Sequence, residues 1–282
     1  MKCRRLALLL VPAALTLAAC SSATDGTGHV AAQGGGGTVS GGPTLSQPSG
    51  STPASGGGAA PVGLSALVSK MRAAVAEMTS AHLTMNITAA GQSITGSGQE
   101  RLDHGKLVAM DLTMNLAQIG SLRMIVVDGK SYVQLPTSLD TTGKPFILVT
   151  ENSSNPVVRS MAGSLDSTLS SASLGSYATM MTAARSFKEL GPATVAGTAT
   201  THYSIVIDVS KLPSNLPGLD AIQASGIADL PLDLYVDGQG RMIQMTEQLS
   251  TDGQQVSTQV TVTDYNQPVS ISAPPADQVS TG

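Results

Sequence analysis

The side chains most often used in catalysis or metal binding do not form a recognised pattern in this sequence. The four histidines, His29, His82, His104 and His202, are scattered, and none has the i, i+4 or His-x-His spacing of a metal site. Serine is abundant, but neither Gly-x-Ser-x-Gly nor Ser-x-x-Lys occurs. Nothing points to a phosphate loop or to a catalytic pair of carboxylates. The sequence therefore predicts no enzyme active site, no metal and no cofactor.

Aspartate–glycine pairs occur at Asp128-Gly129, Asp237-Gly238 and Asp252-Gly253. They lack the alternating acidic ligands and the terminal glutamate of a calcium-binding EF-hand loop. Because Asp-Gly favours the two-residue turns that join antiparallel strands, we interpret these pairs as hairpin turns.

The residue with the most specific chemistry is Cys20, which follows a segment with the features of a secretion signal. Residues 1–19 combine a cationic head with an apolar run that, at about a dozen residues, is too short to span a bilayer. The ending Leu17-Ala18-Ala19-Cys20 resembles the lipobox of bacterial lipoproteins, in which the cysteine receives a diacylglycerol and becomes the first residue, with palmitate among the expected acyl chains. The alternative is an ordinary cleaved signal with a chance cysteine.

The chain after Cys20 is expected to be a tether followed by one folded domain. Residues 20–62 are mostly Gly, Ser, Thr, Ala and Pro, a composition typical of a flexible tether. Residues 63–282 are long enough for one domain with a sizeable core. We therefore expect an extracytoplasmic protein that acyl chains on Cys20 hold at the outer face of the cell membrane.

Charge and composition restrict the classes of partner that the protein can be expected to bind. Cleavage before Cys20 removes three cations and no acidic residue, which takes the formal charge from −4 to −7. No block of like charge stands out, and this argues against nucleic-acid binding. The chain has no Trp, two Phe and twelve Met, and Met is over-used where a surface adapts to varied apolar partners. The simpler interpretation is that Met fills gaps in an aliphatic core.

Two parts of the chain have the periodicity of helices. One apolar stripe comprises Leu64, Leu67, Val68, Met71, Val75 and Met78. Asn155-Pro156 predicts a second helix start, because Asn is a favoured N-cap and Pro is favoured at the first helical position. We expect short helices over residues 155–185, with a second piece from Leu174 to Arg185, as a candidate lid.

Most of the remaining chain alternates apolar and polar residues with a period of two, as strands do. We predict strands at 82–90, 107–116, 121–127 and 130–135, and again at 200–209, 232–236, 241–249 and 256–262. Residues 92–102 are polar and broken by glycine, which favours an edge or rim strand. The end, Pro268 to Gly282, is expected to lie extended over the surface. These elements predict an α+β fold in which helices face the apolar side of an antiparallel sheet.

The element order becomes recognisable with three short motifs. They are Val127-Asp128-Gly129-Lys130-Ser131-Tyr132, Asp264-Tyr265-Asn266 and Ala273-Pro274-Pro275-Ala276-Asp277. Together these features resemble the LppX/LprAFG family of actinobacterial cell-envelope lipoproteins, over roughly Leu64 to Val279. The resemblance implies a LolA/LolB-like half-barrel, with helices over its concave face and an apolar cavity between. It also implies a non-enzymatic carrier of lipids or lipidated glycans, loaded from the membrane or from a membrane transporter.

The alternation and the resemblance together give candidate cavity-lining residues. On the strands these are Met85, Ile87, Met110, Leu112, Met114, Met124, Ile205, Ile207, Leu234 and Met245, and on the helices Met161, Leu165 and Met180.

Alternation alone does not separate a hollow domain from a filled one. A packed core would favour a tethered interaction or signalling module of the envelope that carries no lipid. Such a module would need an exposed apolar or aromatic patch, and the chain has few aromatic residues to form one. A hydrolase without a recognisable motif is a third and weaker hypothesis.

Overall fold

The computed structural model describes residues 63–89, 91–116, 119–140, 143–153, 155–162, 174–214, 216, 219, 223, 226–251 and 254–281. The predicted signal segment, Cys20 and the tether lie outside the described residues. None of the described helices is long and apolar enough to cross a membrane.

Several helices and twelve strands form the described part of the chain. The first half contains α1 (Leu64–Ala76), β1 (Ser80–Ala89), β2 (Gln92–Asp103), β3 (Lys106–Leu116), β4 (Gly120–Val127), β5 (Lys130–Gln134) and β6 (Phe146–Leu148). Residues 156–162 are helical (α2). The second half contains α3 (Leu174–Met180), β7 (Ala184–Val195), β8 (Thr198–Asp208), β9 (Asp229–Asp237), β10 (Met242–Thr251), β11 (Gln254–Thr263) and β12 (Val279–Ser280).

All twelve strands belong to one open, curved sheet. Their order is β12-β6-β5-β4-β3-β2-β1-β11-β10-β9-β8-β7. Two antiparallel meanders, β1–β6 and β7–β11, are joined because β1 pairs with β11. Only the short β12 runs parallel to its neighbour β6. The predicted pair of antiparallel meanders is confirmed.

The tight turns follow from the residues at their tips. Asp128 and Gly129 have φ values of 53° and 69°, and His104 and Gly105 have 48° and 76°. Two successive positive φ values define the type I′ turn, whose twist matches that of the adjoining strands. The predicted hairpin at Asp128-Gly129 is confirmed, and His104-Gly105 forms a second turn of the same type.

The position of β2 differs from the sequence-based expectation. The polar, glycine-broken segment was expected at an edge, and this is wrong because β2 lies between β3 and β1. A Cβ atom on Gly98 would lie 2.4 Å from the Asp111 backbone oxygen and 2.9 Å from the Leu112 Cα. Glycine is therefore needed here for close approach of the two strands rather than for an exposed edge.

The long strand β7 was not predicted, and neither were the short strands β6 and β12. Residues 184–195 form β7, which pairs with β8 and ends the sheet. The predicted helix from Leu174 to Arg185 is shorter, because α3 ends at Met180 and a 3-10 turn follows over Met181–Ala183. Gly191 and Pro192 argue against a strand, but an edge strand tolerates proline because one side of its backbone has no partner to receive a hydrogen bond.

The buried face of α1 and the first residue of α2 agree with the sequence-based predictions. Leu64, Leu67, Val68 and Met71 of α1 are buried, which confirms the predicted stripe. The Asn155 Oδ1 accepts hydrogen bonds from the backbone N–H groups of Val157 (2.9 Å) and Val158 (3.4 Å). These bonds confirm Asn155 as the N-cap of α2.

Each face of the sheet carries apolar residues. We call the face that packs against the helices the inner face. On the opposite face, the C-terminal segment covers an outer cluster that comprises Ala109, Ile125, Val127, Tyr132, Phe146 and Ile271. The expectation of an extended C-terminal segment on the surface is confirmed for the described residues.

Candidate functional site

The predicted lining residues of the strands all lie on the inner face. Met110, Leu112, Met114 and Met124 are buried in one cluster, against which Met85 and Met161 pack. Ile205, Ile207, Leu234, Met245 and, from α3, Met180 belong to a second buried cluster. Ile87 is buried between them on β1. Leu165 and Cys20 lie outside the described residues.

The strand register arranges these residues in continuous rows across the sheet. One row crosses eight strands in the order Leu122, Met114, Gly96, Met85, Val260, Met245, Leu234 and Tyr203. Since directly paired residues share a face, the predicted methionines of β1, β3 and β10 lie in one band. Neighbouring methionines fill the position above Gly96, because a Cβ atom there would lie 3.1 Å from the Met85 Cε and 3.6 Å from the Met114 Cγ.

Coverage of the inner face is uneven at the centre of the sheet. Ile87 of β1, Leu102 of β2 and Val262 of β11 are buried, whereas five other large apolar residues of these strands are half-buried. We call these five residues the central strip: Leu83, Met85, Ile94, Val256 and Val260. Leu83, Val256 and Val260 pack against the cluster of β8–β10, and Met85 and Ile94 against the cluster of β3–β5. The strip is therefore the seam where the two apolar clusters meet.

Two carboxyl groups interrupt the inner face. Glu100 of β2 is 5 % exposed and Glu247 of β10 is 2 % exposed. The Glu100 Oε1 and the Glu247 Oε2 have no hydrogen-bond partner among the described residues. Burial disfavours the charged form of a carboxyl, and it raises the pKa of Glu100 to about 7 and that of Glu247 to about 8.

A buried tyrosine of α3 lies close to both carboxyl groups. The Tyr177 side chain is buried, and burial raises its pKa. The charges of Glu247 and, more weakly, of Glu100 raise the pKa of Tyr177 further. Both carboxyl groups thus lie within electrostatic range of one phenol hydroxyl, which combines acidic and hydroxyl groups inside an otherwise aliphatic region.

Sequence reasoning did not identify either carboxyl. A signal for Glu247 was present, because Ile243, Met245 and Leu249 alternate on one face of β10 and position 247 belongs to the same series. Glu100 occupies the same kind of position on β2, two residues before the buried Leu102.

The other ionisable contacts are structural. His82 contacts Asp264, His104 contacts Asp103 and His202 contacts Asp233, each at 2.9 Å and each in a different part of the sheet. No group of three or more His, Cys, Asp or Glu side chains that could hold a metal ion occurs in the described residues.

A third buried carboxyl group, that of Asp237, has a clear structural role. Asp237 accepts hydrogen bonds from the backbone N–H groups of Gln239 and Arg241 and from the Arg241 Nε, at 2.9, 2.9 and 2.7 Å. These bonds close the turn between β9 and β10. Asp237 is therefore fully explained by the turn, whereas Glu100 and Glu247 are not.

Comparison with known proteins identifies the fold. No protein-family model and no curated protein sequence matches the chain. The structure is similar to the Mycobacterium tuberculosis lipoprotein LppX, with 16% sequence identity and a TM-score of 0.50, over 74% of this chain and 98% of that chain. LprF from Mycobacterium bovis matches with 14% identity and a TM-score of 0.47, over 75% and 96%. MucB in the Pseudomonas aeruginosa MucA/MucB complex matches with 13% identity and a TM-score of 0.38, over 78% and 61%. The predicted resemblance to LppX is confirmed at the level of the fold.

Proposed function

We propose that this protein is an extracytoplasmic lipoprotein that binds lipids or lipidated glycans at its inner face and carries them across or within the cell envelope. Acyl chains on Cys20 would hold it at the outer face of the cell membrane. Residues 20–62 would act as a tether that lets the folded domain move away from the membrane surface. The membrane, or a membrane transporter, would supply the lipid. The protein acts by binding and has no enzymatic role in this proposal.

The central strip is the observation that supports this proposal most directly. In a fully packed core, inner-face residues at the middle of a sheet are the ones expected to be best buried. Here Ile87 and Val262 of the central strands are buried, but the five residues of the strip beside them are only half-buried. A ligand acyl chain along the strip would cover apolar surface that the protein itself leaves partly uncovered.

The side chains around the strip suit an acyl chain. Met85 and Val260 are directly paired, and Met245 follows in the same row. Methionine is flexible and polarisable, so it adapts to chains of different length and saturation. Burial contributes about 0.8 kcal/mol per CH2 group, and one long chain therefore supplies several kcal/mol after the cost of ordering it.

The helices supply the opposite wall in this proposal. Leu67 and Met71 of α1 are buried with the cluster of β8–β10, and Val158 of α2 is buried with the cluster of β3–β5. We infer that residues 155–185 act as a lid, because α2 and α3 contribute to different clusters on either side of the strip. Displacement of this lid would expose the seam to an entering chain.

Lipid extraction tests the proposal. The full chain carrying Cys20→Ala is purified, so that covalently attached acyl chains cannot be mistaken for cargo, and its organic extract is analysed by mass spectrometry. A fluorescent fatty acid is then titrated into the delipidated protein. We expect co-purified lipid at close to one molecule per chain and saturable probe binding. Absence of both would overturn lipid binding and favour the tethered interaction module with a packed core.

A further inference from the structure

Acyl-chain binding gives Glu247 and Glu100 no role. An unpartnered carboxyl oxygen in an apolar interior is less stable than one that has a hydrogen-bond partner. Leu or Met at position 247 would continue the row between Leu232 and Thr258 without this cost. The two free oxygens therefore need an explanation in terms of a partner that comes from outside the chain.

The chemistry of that partner follows from the protonation state and from the surrounding charges. A neutral carboxylic acid both donates and accepts one hydrogen bond, which matches an alcohol hydroxyl. On the described inner-face positions of β1, β2, β10 and β11 there is no Lys or Arg to balance a phosphate or a carboxylate. An anionic headgroup would have to be desolvated without a counter-charge, which is strongly unfavourable.

The location fits a headgroup beside an acyl chain. Glu247 is directly paired with Thr258 of β11, and the half-buried Val256 and Val260 lie two residues to either side of Thr258 on the same face. Tyr177 approaches from α3, close enough for the Glu247 charge to act on its hydroxyl. An acyl chain along the central strip would thus bring its polar end within reach of Glu247.

Resting on the proposed lipid binding, we propose that Glu247, together with Tyr177, forms a recognition site for free hydroxyl groups. This site selects neutral hydroxylated lipids over anionic lipids and over lipids without a hydrogen-bond donor. Glu247 is the principal group, because it is the more deeply buried carboxyl and adjoins the strip.

Three probes with one oleoyl chain test this selection. Monooleoylglycerol offers two hydroxyl groups, methyl oleate offers no donor, and oleoyl lysophosphatidic acid adds a phosphate. Each displaces an uncharged fluorescent acyl reporter from the full chain carrying Cys20→Ala at pH 6, where Glu247 is neutral. We expect monooleoylglycerol to bind about tenfold more tightly than either competitor, the factor that one well-formed hydrogen bond supplies.

The variants identify the residue responsible. Glu247→Leu should bind monooleoylglycerol and methyl oleate equally, whereas Glu247→Gln, which retains a donor and an acceptor, should keep part of the preference. Tyr177→Phe should reduce the preference by a smaller factor. Glu151→Leu, at an exposed turn position, is the matched control and should leave all three affinities unchanged.

The outcomes separate the two proposals. If no probe displaces the reporter, lipid binding itself is overturned and hydroxyl recognition with it. If all three probes bind the unsubstituted protein equally, lipid binding stands and hydroxyl recognition is overturned. Tighter binding of oleylamine than of monooleoylglycerol would also overturn it, because the carboxyls would then act as counter-ions. Thermal unfolding of each variant confirms that the compared proteins are folded.

Discussion

Glu247 of β10 and Thr258 of β11 are directly paired across the sheet, and both side chains are almost completely buried, at 2 % and 1 % exposure. The same row continues through Ile87 and Ile94 on one side and through Leu232 and Ile205 on the other. A carboxyl and a hydroxyl thus interrupt an otherwise aliphatic row near the middle of the sheet. This pairing has consequences for stability as well as for binding.

The buried carboxyls predict that stability falls as the pH rises through neutrality. The ordinary pKa of 4.5 applies to the unfolded chain, and burial raises the pKa of Glu247 to about 8 in the folded protein. The folded state therefore holds the proton more tightly, and stability decreases from just above pH 4.5 until the folded-state pKa is passed. Between pH 5 and pH 8 we expect Glu247 to lower the free energy of unfolding by about 4 kcal/mol.

Urea unfolding at pH 5 and pH 8 measures this difference. Glu247→Gln should show a smaller loss between the two pH values, because the amide does not ionise, while Glu100, with its pKa raised to about 7, keeps part of the dependence. Glu151→Gln changes an exposed carboxyl and should behave like the unsubstituted protein. An unchanged pH dependence in Glu247→Gln would contradict the assignment.

The close approach of β2 and β3 predicts a cost for a single methyl group. In Gly98→Ala the new Cβ would lie 2.4 Å from a backbone oxygen of β3, which cannot rotate away. We expect the free energy of unfolding to fall by about 1–3 kcal/mol, as in overpacked cores. Gly238→Ala is the control, since a Cβ there meets nothing within 4 Å and its φ is not positive. Equal stability of the two variants in urea unfolding would count against tight strand packing.

The N-cap of α2 can be tested in the same way. Asn155 is buried, its Oδ1 accepts from two backbone N–H groups, and its Nδ2 donates to the Leu139 carbonyl oxygen at 3.1 Å. Asn155→Ala removes all of these bonds and should cost about 1–2 kcal/mol of stability. Asn152→Ala, at an exposed position three residues earlier, should cost much less in the same thermal or urea unfolding experiment. If the two variants lose equal stability, the cap has no specific role.

Local features of the fold could be predicted because they depend on neighbours in the sequence. The α1 stripe, the Asn155 cap and the turn at Asp128-Gly129 are each encoded within a few residues. The pairing of β1 with β11 could not be predicted, because alternation assigns a face to each residue but does not identify the partner strand. The central position of β2 was missed for a related reason, since Gly96 and Gly98 serve close packing that only the neighbouring strands define.

The candidate site could be predicted to a similar extent. Alternation placed Met85, Met114 and Met245 on one face, and the register then aligned them in one row. It also placed Glu247 on that face, but the local sequence does not say whether a carboxyl at such a position is covered. Its burial depends on packing between distant parts of the chain, including α3 with Tyr177.

If Cys20 is the membrane anchor, its replacement should change where the protein is found but not whether it binds lipid. Cys20→Ala removes the only thiol that could be acylated after signal cleavage, because the other cysteine, Cys3, lies within the signal segment. Since two or more acyl chains are needed for stable anchoring, the variant should leave the membrane fraction while it retains its lipid. Cell fractionation with immunoblotting, followed by mass spectrometry of the extract, measures both properties. A variant that remains in the membrane fraction would contradict acylation at Cys20 as the anchor.

The extent of the binding region can be measured by enlarging two methionines with different surroundings. Met85 is half-buried in the central strip, whereas Met110 is buried among the apolar residues of β3–β5. In Met85→Trp the larger ring can occupy the space proposed for the acyl chain, so we expect weaker binding of the fluorescent fatty acid and little loss of stability. In Met110→Trp we expect overpacking that costs about 1–3 kcal/mol, with affinity for the probe largely retained.

The same pair distinguishes a narrow seam from a wider cavity. If the region around Met110 is also hollow, Met110→Trp will be tolerated and probe binding will fall, as it does for Met85→Trp. If the whole inner face is packed, both variants will lose stability in urea unfolding. Met181→Trp is a useful reference, because Met181 is fully buried in the cluster of β8–β10. A stability loss in Met85→Trp as large as that in Met181→Trp would show that the strip is part of a filled core, because only a site without free space imposes the full cost of overpacking.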